Sequence, residues 1–329
     1  MKTITFFNNK GGVGKTTCVY HVAWMLSELG YRTVAVDLDP QSNLTSFFLN
    51  SDRLEDIYSQ EAPPTLLNSI TPVVSGEPYR HVYLEHINEN LALVIGDLSL
   101  STLEDKLSKV WLECLNRDIY SFKVTSIFNT IIEDAAHQFQ ASFVLVDVGP
   151  NLGAINRSVT ISSDYIVMPV ASDLFSLQGI KNLGQTLHHW KKEWKDRQDR
   201  APQDFNIKIP DKEFLPAGYI IMQYKALEGR PVKSYIKWAE RIPTYYAEHV
   251  LHTNKIPESV DADPNCIGLL KHYYSLAPMS MEAHKPMFLL RPADGAIGAH
   301  MESVNKCYDD FKKLTLSIVN RCSVTEIAN

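Results

Sequence analysis

What this chain of 329 residues lacks narrows its class before any motif is read. Its five cysteines (Cys18, Cys114, Cys266, Cys307 and Cys322) are scattered, odd in number and without a C-x-x-C pair, which excludes a disulfide framework or a thiolate zinc site as an expectation. No apolar run approaches the length of a bilayer span, and the first residues lead straight into an apolar run, so neither a membrane anchor nor a leader is expected. Basic residues are outnumbered, 32 Lys and Arg against 38 Asp and Glu, for a net charge of −6. A protein coated in basic surface is thereby excluded, and any nucleic-acid patch has to be local. Internal repeats and low-complexity tracts are missing as well. With 45% hydrophobic and 21% charged residues the composition is that of an ordinary globular protein. The length suits one large α/β domain or two small ones, and the expected location is the cytoplasm.

What is there centres on Asn8-Asn9-Lys10-Gly11-Gly12-Val13-Gly14-Lys15-Thr16-Thr17. An apolar, β-prone run, Ile4 to Phe7, precedes it. A helix-period segment follows, with Val19, Val22, Ala23, Leu26 and Leu29 on one face before Gly30. Strand, glycine loop and helix start make a pocket of inward N–H groups for anionic oxygens. Lys15 adds a point charge at the β/γ-phosphates and the Thr16 hydroxyl holds magnesium, so the ligand expected is a nucleoside triphosphate. The strict phosphate-loop spacing asks for glycine where Asn9 stands, and a second lysine, Lys10, precedes the glycine pair. A glycine turn with incidental basic residues is the plainer alternative. The register of Lys15 and Thr16 between a strand and an amphipathic helix argues against it.

Arg32 to Asp37 reads as a second buried strand, delivering Asp37-Leu38-Asp39-Pro40-Gln41-Ser42-Asn43 to the C-terminal edge, where open parallel sheets bind ligands. Its two carboxylates orient magnesium or a water, or, with equal weight, cap a turn. From about Asn50 to Asn90 the prolines Pro63, Pro64, Pro72 and Pro78 and the absence of a clean period predict a loop-rich excursion with short helices. Leu91 to Ile95 reads as a strand, and helical periodicity runs over Leu103 to Leu115 and Val124 to Phe139. Phe143 to Asp147 is a strand ending in an acid placed to hold a magnesium-bound water, with a helix cap as the lesser reading. Further on, Tyr165 to Val170 and Gly218 to Gln223 read as strands and Val250 to Ile256 as a short one. Ser176 to Trp190 and Cys307 to Val319 read as helices, and Lys191 to Asp211 as an exposed connection. The fold class expected is α/β: a doubly wound, mostly parallel sheet with helices on both faces, in a single domain with insertions.

Three motifs in order and at suitable spacing now carry a resemblance. Lys10 to Thr17, then Asp37-Leu38-Asp39-Pro40-Gln41, then Val146-Asp147 with Pro150 and Leu152-Gly153, resemble the deviant Walker A loop, switch segment and Walker B strand of the ParA/MinD ATPases, with the ParA/Soj branch nearest in look. Phe175-Ser176-Leu177-Gln178-Gly179 and Met281-Glu282-Ala283-His284-Lys285-Pro286 resemble later segments of that branch, extending coverage to roughly Ala299. The resemblance implies a P-loop NTPase that binds ATP and Mg2+ through Gly11, Gly12, Val13, Gly14, Lys15, Thr16 and Thr17, with Thr16, Asp37 and Asp147 at the metal. It implies that Lys10, Lys15 and Asp39 are catalytic: Asp39 positions the attacking water, and Lys10 reaches across an ATP-sandwiched homodimer to the partner's phosphates. A positive charge supplied in this way as an arginine finger is worth roughly 10³–10⁵ in rate in other NTPases, or about 4–7 kcal/mol of barrier. The chain departs from the family at Gly149, where proline is usual, which loosens the second switch. It departs also in the stretches 50–90 and 257–281, which are longer than a minimal member needs.

Partition-type members bind DNA without sequence preference, which directs attention to Lys181, Lys191, Lys192, Lys195, Arg197 and Arg200. Glu193, Asp196 and Asp199 are interleaved, so a salt-bridged helix end is at least as good a reading. No helix-turn-helix is expected ahead of the loop. A membrane-binding terminal helix is hinted at by Phe311, Leu314 and Ile318 with Lys312 and Lys313, but Asp309 and Asp310 favour a packed helix. The histidine pairs His188/His189 and His249/His252 lack a third ligand. An iron–sulfur reductase is set aside for want of suitably placed cysteines, and a dethiobiotin-synthetase-type ligase because it lacks Lys10 and the Asp37 to Gln41 run. Two functions stay open: a partition or cargo-positioning ATPase, and a regulatory ATPase controlling an effector of the same operon, for example in phage defence, each with a protein partner.

Overall fold

The computed structural model describes residues 1–202, 208–224, 226–227, 230–231 and 233–324. The β-branched and apolar runs form β1 (Lys2–Phe6), β2 (Thr33–Leu38), β3 (Glu85–Asn88), β4 (Leu91–Val94), β5 (Phe143–Val148), β6 (Tyr165–Ala171), β7 (Leu215–Tyr224), β8 (Ala226–Leu227), β9 (Arg230–Pro231) and β10 (Cys266–Lys271). Eight of them make one sheet in the order β10-β7-β6-β1-β5-β2-β4-β3, while β8 and β9 pair separately. Every pairing in the large sheet is parallel except the β3–β4 hairpin. β2, β4 and β5 are buried along their whole length, as strands covered on both faces must be.

Alternation along the strands divides the apolar side chains between two cores. Ile4 and Phe6 of β1 face the helices Lys15–Glu28 and Ala299–Val324, where Val19, Val22, Leu26, Phe311 and Ile318 are buried. Val34, Val36 and Leu38 of β2 face the helices Glu104–Glu113, Ile127–Phe139 and Leu174–Gln198, with Trp111, Ile131, Phe139 and Leu183. Each such fully buried side chain contributes roughly 1.5–3 kcal/mol of transfer free energy. These layers hold the C-terminal ends of β1, β2 and β5 in register, Asp37 beside Asp147 and Phe6 beside Asp147, and so bring three loops to one edge.

Four expectations change. Val250 to Ile256 forms no strand: Val250 ends the helix Ile242–His249, and the late strand is β10, at the sheet edge inside the stretch 257–281. The helix expected over Ser176 to Trp190 runs over Leu174–Gln198, because Trp194 and Arg197 turn inward and continue its buried stripe. Of the connection expected over Lys191 to Asp211, residues 203–207 lie outside the described residues. The excursion 50–90 contains the short helices expected, Ser51–Tyr58 and Leu66–Val74, but adds strand β3 and buries Leu66, Ile70 and Val73 in a core, so it is less loop-rich than expected.

Candidate functional site

The loop after β1 turns into the helix Lys15–Glu28 through two left-handed glycines, Gly12 (φ 73°) and Gly14 (φ 88°). That conformation is costly for any residue with a Cβ, and at Gly14 a Cβ would also lie 3.2 Å from Met222 Cε. Gly14 is the helix N-cap, and neither a side-chain cap nor an acid in the first turn satisfies the N–H groups there. A helix start left in this way suits an anion. Lys15 is the first helical residue; its side chain is 7% exposed and its Nζ donates to Asp147 Oδ1. Thr16 Oγ1 donates to the other carboxylate oxygen of Asp147 at 2.6 Å. Gly11 to Thr17 and Asp39 line a cavity of about 650 Å³ together with Lys10, Gln41, Phe47, Pro150, Gln223 and Met281.

The three acids sit differently. Asp147 is fully buried; burial pushes its carboxyl up from the usual range, and the Lys15 ammonium opposes this. Asp37, also fully buried, is pushed up to about 7 by burial and then by the Asp147 charge. Its Oδ2 accepts both the N–H and the hydroxyl of Thr45 at 2.8 Å, and the Thr45 hydroxyl accepts from Gly96 N–H at 2.9 Å. Asp37 Oδ1 accepts from Asp39 N–H at 3.3 Å. These are the contacts of the turn-capping reading: Asp37 braces the loop that carries Asp39. Asp39 itself is the acid at the cavity wall, its Oδ1 accepting from Gln41 N–H at 3.0 Å. Thr16 and Asp147 supply a hydroxyl and a carboxylate of the kind that holds magnesium, with Asp37 beside Asp147 in the sheet register.

Lys10 stands apart from these. Its N–H donates to Asn8 Oδ1 at 2.8 Å, Asn8 Nδ2 donates to Pro169 O at 2.5 Å, and its Nζ pairs with Asp173 Oδ2 at 2.5 Å. Asp173 is the N-cap of Leu174–Gln198, its Oδ1 accepting from Ser176 N–H at 2.9 Å. Against partial burial, the Lys10 ammonium and the helix N–H groups hold its carboxyl below the usual range. Asn9, where the strict loop pattern has glycine, lies against this helix: a Cβ on Gly179 would come within 2.9 Å of Asn9 Oδ1.

Sequence reasoning missed Asp173, Thr45, Asn156 and Glu104. Asn156 Nδ2 donates to both Gly149 O and Asn151 O at 2.7 Å, pinning the segment that glycine in place of proline was expected to loosen. Glu104 Oε2 accepts from Ile155 N–H at 2.8 Å and occupies the space that a side chain on Gly153 would need. Only the Asp-x-x-Ser cap pattern at Asp173 was visible locally; the others act on residues distant in sequence.

The basic cluster is thinner than its sequence. Arg197 is buried, with Nε donating to Trp111 O at 2.8 Å and its guanidinium over the Trp111 ring. Lys191 pairs with Glu213 and Lys195 with Asp199, the salt-bridged arrangement. His188 and His252 stack edge-on, and no cluster of three metal-ligating side chains occurs among the described residues. The last helix, Ala299–Val324, packs with Phe311, Leu314 and Ile318 buried, and no described helix is long and apolar enough to cross a membrane.

With this geometry the comparisons with known proteins agree. The family profile described as an AAA domain matches residues 1–199, more than half of the chain. This chain belongs to that family, within its ParA/MinD group of P-loop ATPases and on the ParA/Soj branch. It is 31% identical over 193 residues to an uncharacterized protein of Methanocaldococcus jannaschii, covering 58% of this chain and 67% of that one. To the chromosome-partitioning ATPase Soj of Treponema pallidum it is 28% identical over 189 residues, covering 56% and 63%. Six other curated relatives are matched over 42–65% of their length. A solved structure from Corynebacterium diphtheriae superposes with a TM-score of 0.69 at 26% identity, covering 86% of this chain and 97% of that one.

Proposed function

We propose that this ParA-family protein binds ATP with Mg2+, hydrolyses it slowly, and forms an ATP-sandwiched homodimer that acts as a switch in plasmid or chromosome partition or in cargo positioning. The observation that carries the reading is the division of labour in one loop: Lys15 is committed to the buried floor with Asp147, whereas Lys10, on the same cavity, is part exposed and paired with Asp173. Gly11, Gly12, Val13, Gly14 and Thr17 would surround the phosphates, with Lys15 exchanging Asp147 for their oxygens. Thr16 and Asp147 would hold magnesium, which when bound draws charge from those oxygens. Asp37 braces the loop behind them. Asp39, at the wall, accepts a proton or hydrogen bond from the attacking water, and Lys10 of one copy completes the charge around the other's phosphates.

Dimerisation then gates turnover. Asp39→Ala is expected to accumulate an ATP-bound dimer with hydrolysis lost, read by sedimentation and phosphate release; a monomeric variant hydrolysing at the wild-type rate overturns the reading. The stretches 50–90 and 257–281 are the family-atypical parts of a single domain and the places where a protein partner from the same operon would be recognised. The regulatory ATPase without partition is supported by a specific observation: burial of Arg197 and pairing of Lys191 with Glu213 and Lys195 with Asp199 thin the basic cluster, although Lys192 and Arg200 stay exposed. DNA retention with ATP and Mg2+ across a salt series separates the two, because phosphate binding weakens steeply with salt. Retention at low salt supports partition; none supports regulation.

A further inference from the structure

We propose that Asp173 is a positioning residue for Lys10: it holds the lysine on its own subunit until a second ATP-loaded copy competes for it, and so sets the threshold for dimerisation. The inference rests on the dimer reading above, and the experiment below separates the two.

The pair is built so that one half can leave. Asp173 uses Oδ1 to cap its helix through Ser176 N–H at 2.9 Å and Oδ2 to hold Lys10 Nζ at 2.5 Å. When the lysine departs, the cap stays and the carboxylate is taken up by water, since the two side chains are 31% and 36% exposed. Everything around the lysine is fixed while its head is not. The Lys10 N–H is tied to Asn8, Asn8 is tied to the end of β6 through Pro169 O, and Asn9 is pressed against Gly179. The loop thus delivers Lys10 to within reach of Asp173 without needing the ion pair to shape it. Next to Asp173 the helix exposes Leu174 and Phe175, the latter 73% exposed, an apolar rim beside the lysine suited to a second copy of this chain.

A part-exposed pair of this kind biases the lysine by only a small factor, roughly 2- to 3-fold. A symmetric dimer must release two lysines, so the factor enters twice, and dimerisation is held back by about 4- to 9-fold. The latch tunes the ATP concentration at which copies meet and does not forbid their meeting.

Asp173→Asn tests this cleanly, because asparagine caps a helix as well as aspartate does while lacking the charge. First, Lys10 in the nucleotide-free protein is labelled with an amine-reactive reagent and followed by mass spectrometry; the variant is expected to label a few-fold faster, with Asp173→Glu restoring slow labelling. Second, the ATP-dependent dimer dissociation constant is measured by sedimentation; the variant is expected to dimerise about 4- to 9-fold more tightly, and the gain to vanish in a Lys10→Ala background. Equal labelling in wild type and variant overturns the latch at once. So does faster labelling with unchanged or weaker dimerisation. If the wild type shows no ATP-dependent dimer, the proposed function fails, and the threshold role of Asp173 fails with it even where labelling reveals the contact.

Discussion

The floor and the rim of the nucleotide cavity are each built around one lysine and one aspartate, yet they are opposite in kind. At the floor Lys15 and Asp147 are buried, Thr16 takes the second carboxylate oxygen, and the pair joins the start of a helix to the end of a central strand. At the rim Lys10 and Asp173 are each about a third exposed and join two segments that other contacts already fix. A buried pair loses several kcal/mol when one partner is removed, because the other charge is stranded; an exposed one is worth about 0–1 kcal/mol. Side chains meant to stay are therefore paired in the floor, and the side chain meant to travel is paired where water can replace its partner.

Four substitutions sharpen or break that contrast. Lys10→Ala should have the largest effect: ATP turnover lower by about 10³, with ATP affinity and folding stability near wild type. Unchanged turnover in a steady-state assay breaks the rim's role. Lys15→Ala should cost about 3 kcal/mol of stability in urea denaturation without nucleotide, since Asp147 keeps only Thr16; a wild-type midpoint would mean that the floor pair is as dispensable as the rim pair.

Asp37→Asn probes the buried acid of the floor that has no lysine. With its carboxyl at about 7 against an ordinary 3.8, the folded protein binds more protons than the unfolded chain between those pH values, so wild-type stability falls as pH rises through that window. Asparagine removes that slope. The variant should gain on the order of 2–4 kcal/mol relative to wild type between pH 4 and pH 8, and parallel stability curves for the two proteins would contradict the assignment. Gly179→Ala has the smallest expected effect, about 1 kcal/mol, because its Cβ meets the movable end of Asn9 rather than backbone. It should also alter the labelling rate of Lys10, and an unaffected rate would show that the helix does not fix the loop.

The same contrast governs how far the sequence could be read. The floor pair joins positions 132 residues apart, but each half is legible where it stands: strand, glycines, Lys15 and Thr16 lie within a few residues, and Asp147 ends a run whose burial on both faces makes it unbroken and apolar. The rim pair joins positions 163 residues apart, and of it only Lys10 and the cap pattern at Asp173 were visible. Elsewhere each misreading has its own cause. Arg197 is buried by lying on Trp111, so a helix stripe continued under an apparently solvated run. β10 alternates only partly and sits at the edge, with Gly268 in its middle where a Cβ would lie 2.9 Å from Leu314 Cδ1, so it lacked the strand pattern that β5 displays. Short helices were expected in the stretch 50–90, but Pro72 hid how firmly the helix Leu66–Val74 packs, with Ile70 and Val73 in the core.

The central claim is that Lys10 acts on the nucleotide of the other copy. Mixing Lys10→Ala with Lys15→Ala tests it most directly, because the first keeps a nucleotide site without the travelling lysine and the second keeps that lysine without the site. Equal mixing gives half of the dimers one complete site out of two, so ATP turnover should recover from near zero to at most about a quarter of the wild-type rate. Turnover of the mixture equal to the sum of the two inactive variants would contradict the account.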